Sequence, residues 1–203
     1  MTLQTKRNFK YIEVCGGIAS GKTTLASLFE FTNFDIFLEN FQNNPFWKSF
    51  YEDPVAFSFE TEITFLLQHY HQIKIGIRKS STFICDFSLF LDLAYADVTL
   101  SSRKYDIFQE VYQEILRELF FPDLLIFLDC TAEIQLERII SRGRKPEASI
   151  TLEYLNAVNE ALAKRVTEFS KKSQVLIVDS GRENFASDEI IQKELVKLVL
   201  DQT

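Results

Sequence analysis

Hydrophobic residues alternate along the chain between short apolar runs and longer segments in which apolar positions recur every three or four residues. Five runs are rich in β-branched and aromatic residues and predict strands at residues 9–15, 34–38, 82–86, 124–129 and 174–179. The segments between these runs are long enough for helices. Strands and helices that alternate in this way predict an α/β fold, with a parallel sheet covered by helices on both faces.

The clearest helix signal follows Asp53, because a capping residue is followed there by proline at the first helical position. Its apolar residues form one stripe at spacings of three and four: Ala56, Phe59, Ile63, Leu66, Tyr70, Ile73 and Ile77. Further helices are predicted at residues 22–30, 103–120, 132–142, from about 151, and from 187 to the C-terminus. No internal repeat or linker interrupts the pattern, so we predict a single domain over residues 1–203.

Composition narrows the possible partners. The chain has 203 residues and a formal net charge of −7, which argues against a broad nucleic-acid-binding surface. No apolar run is long enough to span a membrane, and the first residues lack the apolar core of a signal peptide. Cys15, Cys85 and Cys130 each end an apolar run and have no metal-binding spacing. We therefore predict a cytoplasmic protein with reduced, buried thiols and with no nucleic-acid or membrane partner.

One motif indicates phosphate chemistry. Residues 16–23 read Gly-Gly-Ile-Ala-Ser-Gly-Lys-Thr, the G-x-x-x-x-G-K-T pattern of a phosphate-binding loop (P-loop), and they lie between a predicted strand and a predicted helix. In such a loop the backbone N–H groups surround phosphate oxygens, the lysine reaches the β- and γ-phosphates, and the threonine hydroxyl binds Mg²⁺. The residues predicted to bind the nucleotide are Gly16, Gly17, Ile18, Ala19, Ser20, Gly21, Lys22, Thr23 and Thr24.

Two acidic residues follow the second and third predicted strands. Ligands of open parallel sheets bind beyond the carboxyl ends of the strands, which is where Glu39 and Asp86 fall. A carboxylate at Glu39 can take a proton from an attacking hydroxyl, and Asp86 can hold Mg²⁺ directly or through water. Taken singly, each can also be an ordinary strand-end carboxylate in a cap or a salt bridge.

Arginines cluster after the fourth predicted strand. Arg138 and Arg142 are four residues apart and share one helix face, and Arg144 follows Gly143. Cations on a hinged loop can close over a nucleotide and stabilise the charge of the transferring phosphoryl group. A solvated basic helix end is the alternative. Because the chain also carries a P-loop, we predict an arginine-rich lid at about residues 142–150.

With these residues assembled, the chain resembles the deoxyribonucleoside kinase family, which includes deoxycytidine, deoxyguanosine and deoxyadenosine kinases. Besides the P-loop, the shared blocks are residues 50–54, 57–61, 86–92, 138–144 and 150–155. The resemblance implies a P-loop kinase fold with a five-stranded parallel sheet. It also implies phosphoryl transfer from ATP, or another nucleoside triphosphate, with Mg²⁺ to the 5′-hydroxyl of a deoxynucleoside. A homodimer formed through helices is a further implication.

The resemblance implies roles for individual residues around the sugar and the phosphates. Glu39 falls at the position of the catalytic base, while Tyr51 and Glu147 fall at the pair that holds the 3′-hydroxyl. The lid arginines correspond to Arg138, Arg142 and Arg144. Together with Lys22, Arg138 and Arg142 are therefore expected to act in catalysis.

On the base side, Glu60 falls where the family usually has a glutamine that reads the base edge, and Asp92 where it has an aspartate. Leu67 replaces a base-side arginine of several members. An ionised glutamate only accepts hydrogen bonds, so an amino-bearing base (adenine, cytosine or guanine) is expected rather than thymine. Two neighbouring carboxylates can also share a proton, which would restore a donor.

A departure from the family pattern occurs after the third strand. The expected Asp-Arg-Ser reads Asp86-Phe87-Ser88, so the arginine beside the catalytic carboxylate is absent. Either another cation substitutes, with Arg165 and Arg78 as candidates, or turnover is low, or the reaction differs. The alternatives to a nucleoside kinase are a thymidylate-type nucleoside monophosphate kinase and a nucleotide-binding relative with little catalysis.

Overall fold

The computed structural model describes residues 8–202, and a parallel sheet of five strands runs through their centre. The strands are β1 (Tyr11–Cys15), β2 (Asp35–Phe37), β3 (Phe83–Cys85), β4 (Leu124–Asp129) and β5 (Gln174–Asp179). They lie in the order β2-β3-β1-β4-β5, and each neighbouring pair is parallel. The predicted sheet is confirmed, and β4 and β5 have the predicted bounds.

Eight α-helices lie within residues 8–202. They are α1 (Lys22–Ser27), α2 (Trp47–Glu52), α3 (Pro54–Lys79), α4 (Leu89–Thr99), α5 (Ser102–Glu118), α6 (Ala132–Arg142), α7 (Leu152–Phe169) and α8 (Glu189–Asp201). Two 3₁₀ turns occur at Phe41–Asn43 and Lys145–Ser149. The single domain over residues 1–203 stays a prediction, and residues 1–7 and 203, with the signal-peptide expectation, lie outside the described residues.

Side chains of β1 point alternately to the two faces of the sheet, and each face has its own core. Tyr11 packs in a cluster with Leu66 of α3, whereas Ile12 packs in another with Leu25 of α1 and Leu195 of α8. Helices therefore cover both faces, as predicted. From β1 the chain crosses to β2 on one side and later to β4 on the other, so the carboxyl end of β1 is the switch point where ligands bind in such sheets.

Helix α3 begins as the sequence predicts. The side chain of Asp53 accepts a hydrogen bond from the Ala56 N–H at 3.1 Å, and Pro54 opens the first turn. The helix ends at Ser80, whose backbone is left-handed with φ of 53°. Helix α3 is 26 residues long, and its side chains contribute both to the cleft and to one of the two cores of the sheet.

Helix α4 is absent from the predicted elements. Its residues are apolar on nearly every side, and Leu89, Leu91, Leu93 and Ala94 are all buried, so no amphipathic stripe marks it. The helix packs between α3 and α7. Its importance for the site is that its first turn carries Asp92 into the cleft.

The three cysteines are free and buried, as predicted. Within residues 8–202, no helix combines the length and the apolar character that crossing a bilayer requires.

Candidate active site

A cavity of about 660 Å³ opens above the carboxyl ends of β1, β2 and β3. This volume is within the usual range for a small-molecule site. Residues from distant parts of the sequence line it, including these predicted site residues: Ile18, Ala19, Gly21, Lys22, Thr23, Thr24, Glu39, Tyr51, Asp92, Arg138, Arg142, Arg144 and Glu147. The structure therefore brings most of the predicted site residues together in one cleft.

The P-loop turns from β1 into α1 through backbone conformations that favour glycine. Gly21 caps α1 with φ of 100°, and a Cβ atom there would come within 3.0 Å of the Phe185 ring. The Nζ of Lys22 donates to the carbonyl oxygens of Gly16 at 2.9 Å and Gly17 at 3.0 Å. Burial lowers the pKa of Lys22, and the charges of Glu39 and Asp86 partly offset this. The lysine therefore lies folded over the loop.

Side chains from α6 and α7 support the P-loop from below. Arg138 donates to the carbonyl of Ala19 at 3.2 Å and to that of Ser180 at 2.6 Å, so it ties the loop to the end of β5. The amides of Gln135 and Asn159 hydrogen-bond to each other directly under Gly17. Arg138 is thus a bracing residue within α6 as well as a lining residue. The sequence analysis missed the Gln135–Asn159 pair because no local motif marks it.

Thr23 and Asp86, the predicted metal ligands, are in contact. The Thr23 hydroxyl donates to one carboxylate oxygen of Asp86 at 2.5 Å, and the backbone N–H of Glu39 donates to the other. Mg²⁺ prefers oxygen ligands and takes few of them from the protein, so a hydroxyl and a carboxylate at the end of a P-loop suit this ion. The same contacts join α1, β2 and β3 at one point.

The carboxylate of Glu39 is paired with a histidine that the sequence analysis did not identify. The Nε2 of His69 lies 3.1 Å from Glu39 Oε1, and its Nδ1 lies 2.9 Å from both carboxylate oxygens of Asp92. The ring stacks on Phe87, with centroids 4.3 Å apart and planes within 6° of parallel. His69 and Asp92 are almost fully buried, with 3% and 4% of their side chains exposed, whereas Glu39 is 30% exposed towards the cleft.

The contacts among Glu39, His69 and Asp92 shift the pKa values of His69 and Glu39. Burial disfavours the His69 cation, but the charge and hydrogen bonds of Asp92 and Glu39 outweigh it and raise the pKa of His69 to about 10. Burial likewise opposes the charge of Glu39, yet its hydrogen bond to His69, together with the charges of His69, Lys22 and Arg144, holds its pKa below the ordinary value. At neutral pH, Glu39 is therefore an ionised carboxylate beside an imidazolium.

The predicted lid residues converge on Glu147, a buried carboxylate. Arg142 lies 2.6 Å from one of its oxygens, and Arg144 lies 3.3 Å from the other. The Arg144 guanidinium also stacks on the Phe41 ring at 4.4 Å. Gly143 between the two arginines is left-handed, with φ of 61°, and a side chain there would meet no neighbour within 4 Å. The two arginines thus reach the cleft from the last residue of α6 and from the short turn that follows it.

Tyr51 lines the same cleft near Glu147. Burial raises the pKa of the Tyr51 hydroxyl, and the charge of Glu147 raises it further. The backbone carbonyl of Tyr51 accepts a hydrogen bond from the Ser149 hydroxyl at 3.0 Å, which fixes α2 against the 3₁₀ turn that carries Glu147. Tyr51 and Glu147 are therefore close enough to act on one part of a ligand, although their role at a sugar hydroxyl stays a prediction.

On the base side, Glu60 is not among the residues that line the cleft, although one of its carboxylate oxygens is buried without a hydrogen-bond partner. The cleft is lined by Glu62 instead, which is buried and accepts a hydrogen bond from the Thr99 hydroxyl at 3.0 Å. Leu67 is 46% exposed outside the cleft, and His69 is the residue that faces inward. Glu62 and His69 each lie two residues after the positions considered in the sequence analysis.

A signal for both residues is present in the sequence. Glu62, Leu66, His69 and Ile73 follow one another at spacings of four, three and four, and all four are buried. Polar residues at such positions of a buried stripe need partners, which marks them as candidates for a site.

The two arginines that the sequence analysis considered as substitutes for the missing arginine do not lie at the cleft. Arg165 pairs with Asp97 at 2.6 Å, and Arg78 is an exposed residue in the last turn of α3. Neither residue lines the cleft.

Known proteins share this sequence pattern and this fold. The deoxynucleoside kinase family model matches residues 12–203. Deoxyguanosine kinase of Bacillus subtilis (strain 168) is 28% identical over 183 residues, covering 86% of this chain and 88% of that protein. Deoxyadenosine/deoxycytidine kinase of the same strain is 30% identical over 152 residues, covering 70% of each.

Among solved structures, deoxyadenosine kinase from M. mycoides with bound dCTP superimposes with a TM-score of 0.80 at 23% sequence identity. The match covers 95% of this chain and 99% of that chain, and it identifies the P-loop kinase fold. The extent of the family match, with the P-loop at the switch point of the sheet, shows that this chain belongs to the deoxynucleoside kinase family.

Proposed function

We propose that this protein transfers the γ-phosphoryl group of ATP to the 5′-hydroxyl of a deoxynucleoside with an amino-bearing base. The observation that carries the proposal is the position of Glu39. Its backbone N–H is bound to Asp86, which also accepts a hydrogen bond from Thr23 of the P-loop, while its carboxylate faces the cleft. One ionised carboxylate therefore stands between the phosphate-binding loop and the space for an acceptor, as a general base for phosphoryl transfer requires.

The donor side of the cleft would hold the triphosphate. The P-loop N–H groups and the N-terminus of α1 favour phosphate, and Lys22 would exchange its two backbone carbonyl partners for phosphate oxygens. Thr23 and Asp86 would hold Mg²⁺, which neutralises charge on the β- and γ-phosphates when bound. Arg142 and Arg144 would likewise exchange Glu147 for phosphate oxygens, and the open backbone at Gly143 lets the segment 142–150 act as a lid.

The acceptor side would hold the nucleoside. Glu39 would take the proton of the 5′-hydroxyl, with Tyr51 and Glu147 at the 3′-hydroxyl. On this side Glu39 and Asp92 are negative and His69 between them is positive, while burial raises the pKa of Glu62 to about 8, so the charge that remains is negative and would repel the phosphate of a nucleoside monophosphate. This charge supports a nucleoside acceptor over a thymidylate-type reaction.

The base would lie towards Glu62 and Asp92. Both oxygens of Asp92 face His69, which leaves Glu62 as the acidic side chain best placed to read the base edge. Because burial raises the pKa of Glu62 to about 8, one of its oxygens can donate a hydrogen bond to the base at neutral pH, while the other can accept one from the amino group of adenine, cytosine or guanine. Relatives that are named deoxyguanosine and deoxyadenosine/deoxycytidine kinases support the same substrate class.

A panel of the four deoxynucleosides with ATP and Mg²⁺, read out as monophosphate formation, tests the proposal. We expect the amino-bearing nucleosides to be the better substrates, and thymidine as the best substrate would contradict this. Glu39→Gln should lower kcat by about 10²- to 10⁴-fold with ATP binding retained, because the general base is lost. Glu160→Gln, at an exposed position on α7, is the matched control and should leave kcat unchanged. A Glu39→Gln enzyme with near-normal kcat would refute the assignment.

Association into a homodimer and a cytoplasmic location stay predictions. Light scattering of the purified protein would measure whether it forms a homodimer.

A further inference from the structure

Gly17 lies in the first turn of the P-loop, yet its backbone does not require glycine. Its φ is not positive, in contrast to those of Gly16 and Gly21, so an L-amino acid could adopt the same conformation. The reason for glycine is steric. A Cβ atom on Gly17 would lie 2.6 Å from the Oδ1 of Asn159 and closer still to the Nε2 of Gln135, and both distances are too short for a carbon atom. The P-loop therefore rests directly on two side-chain amides at this point.

The two amides form a closed pair. The Nε2 of Gln135 donates to the Oδ1 of Asn159 at 3.1 Å, and the Nδ2 of Asn159 donates to the Oε1 of Gln135 at 3.3 Å. The same Nδ2 also donates to the carbonyl of Cys130 at 3.2 Å, just after β4. Gln135 in α6 is fully buried, and neither amide lines the cleft. The pair thus joins α6, α7 and the end of β4 into one support for Gly17.

The start of the phosphate-binding turn rests on this support. The Gly17 carbonyl accepts hydrogen bonds from the Lys22 Nζ at 3.0 Å and from the Ser20 N–H at 3.3 Å. Two adjacent glycines, Gly16 and Gly17, have more backbone freedom than other residue pairs, so an unsupported turn would sample many conformations. Ordering such a turn would oppose nucleotide binding, whereas a turn that is already ordered binds without that loss of entropy.

We propose that Gln135 and Asn159 are positioning residues for the phosphate donor, which hold Gly17, and with it the first turn of the P-loop, ready for phosphate. The inference rests on the proposed function, in which the P-loop binds the triphosphate of ATP. The amides touch neither substrate and act only through the backbone of Gly17. Because the acceptor side is built from other elements, loss of the pair should weaken the binding of ATP and leave that of the nucleoside unchanged.

The test titrates two ligands separately by calorimetry: the β,γ-imido analogue of ATP with Mg²⁺, and the best deoxynucleoside of the panel. For Gln135→Ala and for Asn159→Ala we expect the Kd of the ATP analogue to rise about tenfold and that of the nucleoside to stay within about twofold. Gln113→Ala, the same change at an exposed position in α5, should alter neither value. An unchanged Kd for the analogue would overturn the inference. So would an equal weakening of both ligands, because general destabilisation predicts it.

A double variant tests the contact itself. Gly17→Ala should weaken the ATP analogue by about 30-fold, because its methyl group collides with the pair. In Gly17→Ala/Gln135→Ala the space left by Gln135 admits that methyl group, so we expect affinity no worse than that of Gln135→Ala alone. A loss equal to the product of the single losses, about 300-fold, would overturn the inference, because the two positions would then act independently.

Failure to fold also gives an answer. If Gly17→Ala alone shows no cooperative urea unfolding, a double variant that regains both folding and ATP-analogue binding supports the inference, and a double variant that stays unfolded overturns it.

The same titrations separate this inference from the proposed function. If the wild-type protein binds the ATP analogue and the amide variants bind it equally well, the inference about the pair fails while the proposed function stands. If the wild-type protein binds no ATP analogue, the proposed donor site and the inference fail together. A Glu39→Gln enzyme with a near-normal rate would remove the proposed general base without changing the outcome for the pair.

Discussion

The two walls of the cleft are built in different ways. The donor wall is a contiguous stretch, residues 16–24, in which backbone N–H groups and one lysine are proposed to bind phosphate. The acceptor wall is assembled from side chains of α3, α4 and the segment after β2. Its members Glu39, His69 and Asp92 follow one another in the chain at separations of 30 and 23 residues. A backbone site depends on a local turn, whereas a side-chain site depends on which face of each helix is turned inward. The donor wall should therefore respond to local changes, and the acceptor wall to helix register.

Loss of Lys22 should give the largest effect, because it removes the P-loop charge next to the transferring group. We expect Lys22→Met to lower kcat by about 10³-fold or more, with nucleoside binding little changed. Steady-state kinetics and calorimetric titration of the nucleoside would measure the two effects separately. Lys48→Met, at an exposed position in α2, is the control. A parallel loss of nucleoside affinity would show that the two walls are not independent.

Local sequence was sufficient for the donor wall and for most of the fold. β4 and β5 match their predicted bounds because each is a continuous apolar run that ends at an aspartate. The P-loop could be predicted because its glycines, lysine and threonine lie close together in the sequence. In contrast, α4 was missed because it is buried on nearly every side and has no polar face to set its period.

The acceptor wall could be predicted only in part. Glu39 and Asp92 line the cleft, whereas the sequence analysis missed two buried residues of α3, Glu62, which lines the cleft, and His69, which contacts Glu39. Two residues along a helix correspond to about 200° of rotation, so a small alignment error moves a side chain from one face to the opposite one. The Glu39–His69–Asp92 contact also depends on how three separate elements pack, which no local pattern records.

The position of Glu62 in the cleft lining predicts that this residue affects substrate choice. Glu62→Gln should change the ratio of kcat/KM between deoxynucleosides by about tenfold, because it alters the buried side chain that we propose reads the base. Glu60→Gln, two residues earlier on the same helix and outside the cleft lining, should leave that ratio unchanged. Kinetics with the four-nucleoside panel would measure both ratios. If Glu60→Gln changed the ratio and Glu62→Gln did not, Glu60 would be the residue that reads the base, as the sequence analysis expected.

The smallest expected effect is on the free energy of unfolding. It tests the charge state of Glu62 in the acceptor wall without a turnover assay. Burial raises the pKa of Glu62 from 4.5 to about 8. Between these two values the folded protein holds a proton that the unfolded chain has lost, so this group makes the free energy of unfolding fall as pH rises. Its contribution is complete below about pH 4.5 and is lost by the time the pH has passed about 8.

Glutamine at position 62 has no proton to lose and can still accept the hydrogen bond of Thr99. We therefore expect the difference in unfolding free energy, Glu62→Gln minus wild type, to become more positive from pH 5 to pH 8, as measured by urea unfolding at each pH. A flat difference for Glu62→Gln would mean that Glu62 ionises freely in the folded protein, so that the acceptor wall carries one more negative charge at neutral pH than the geometry indicates.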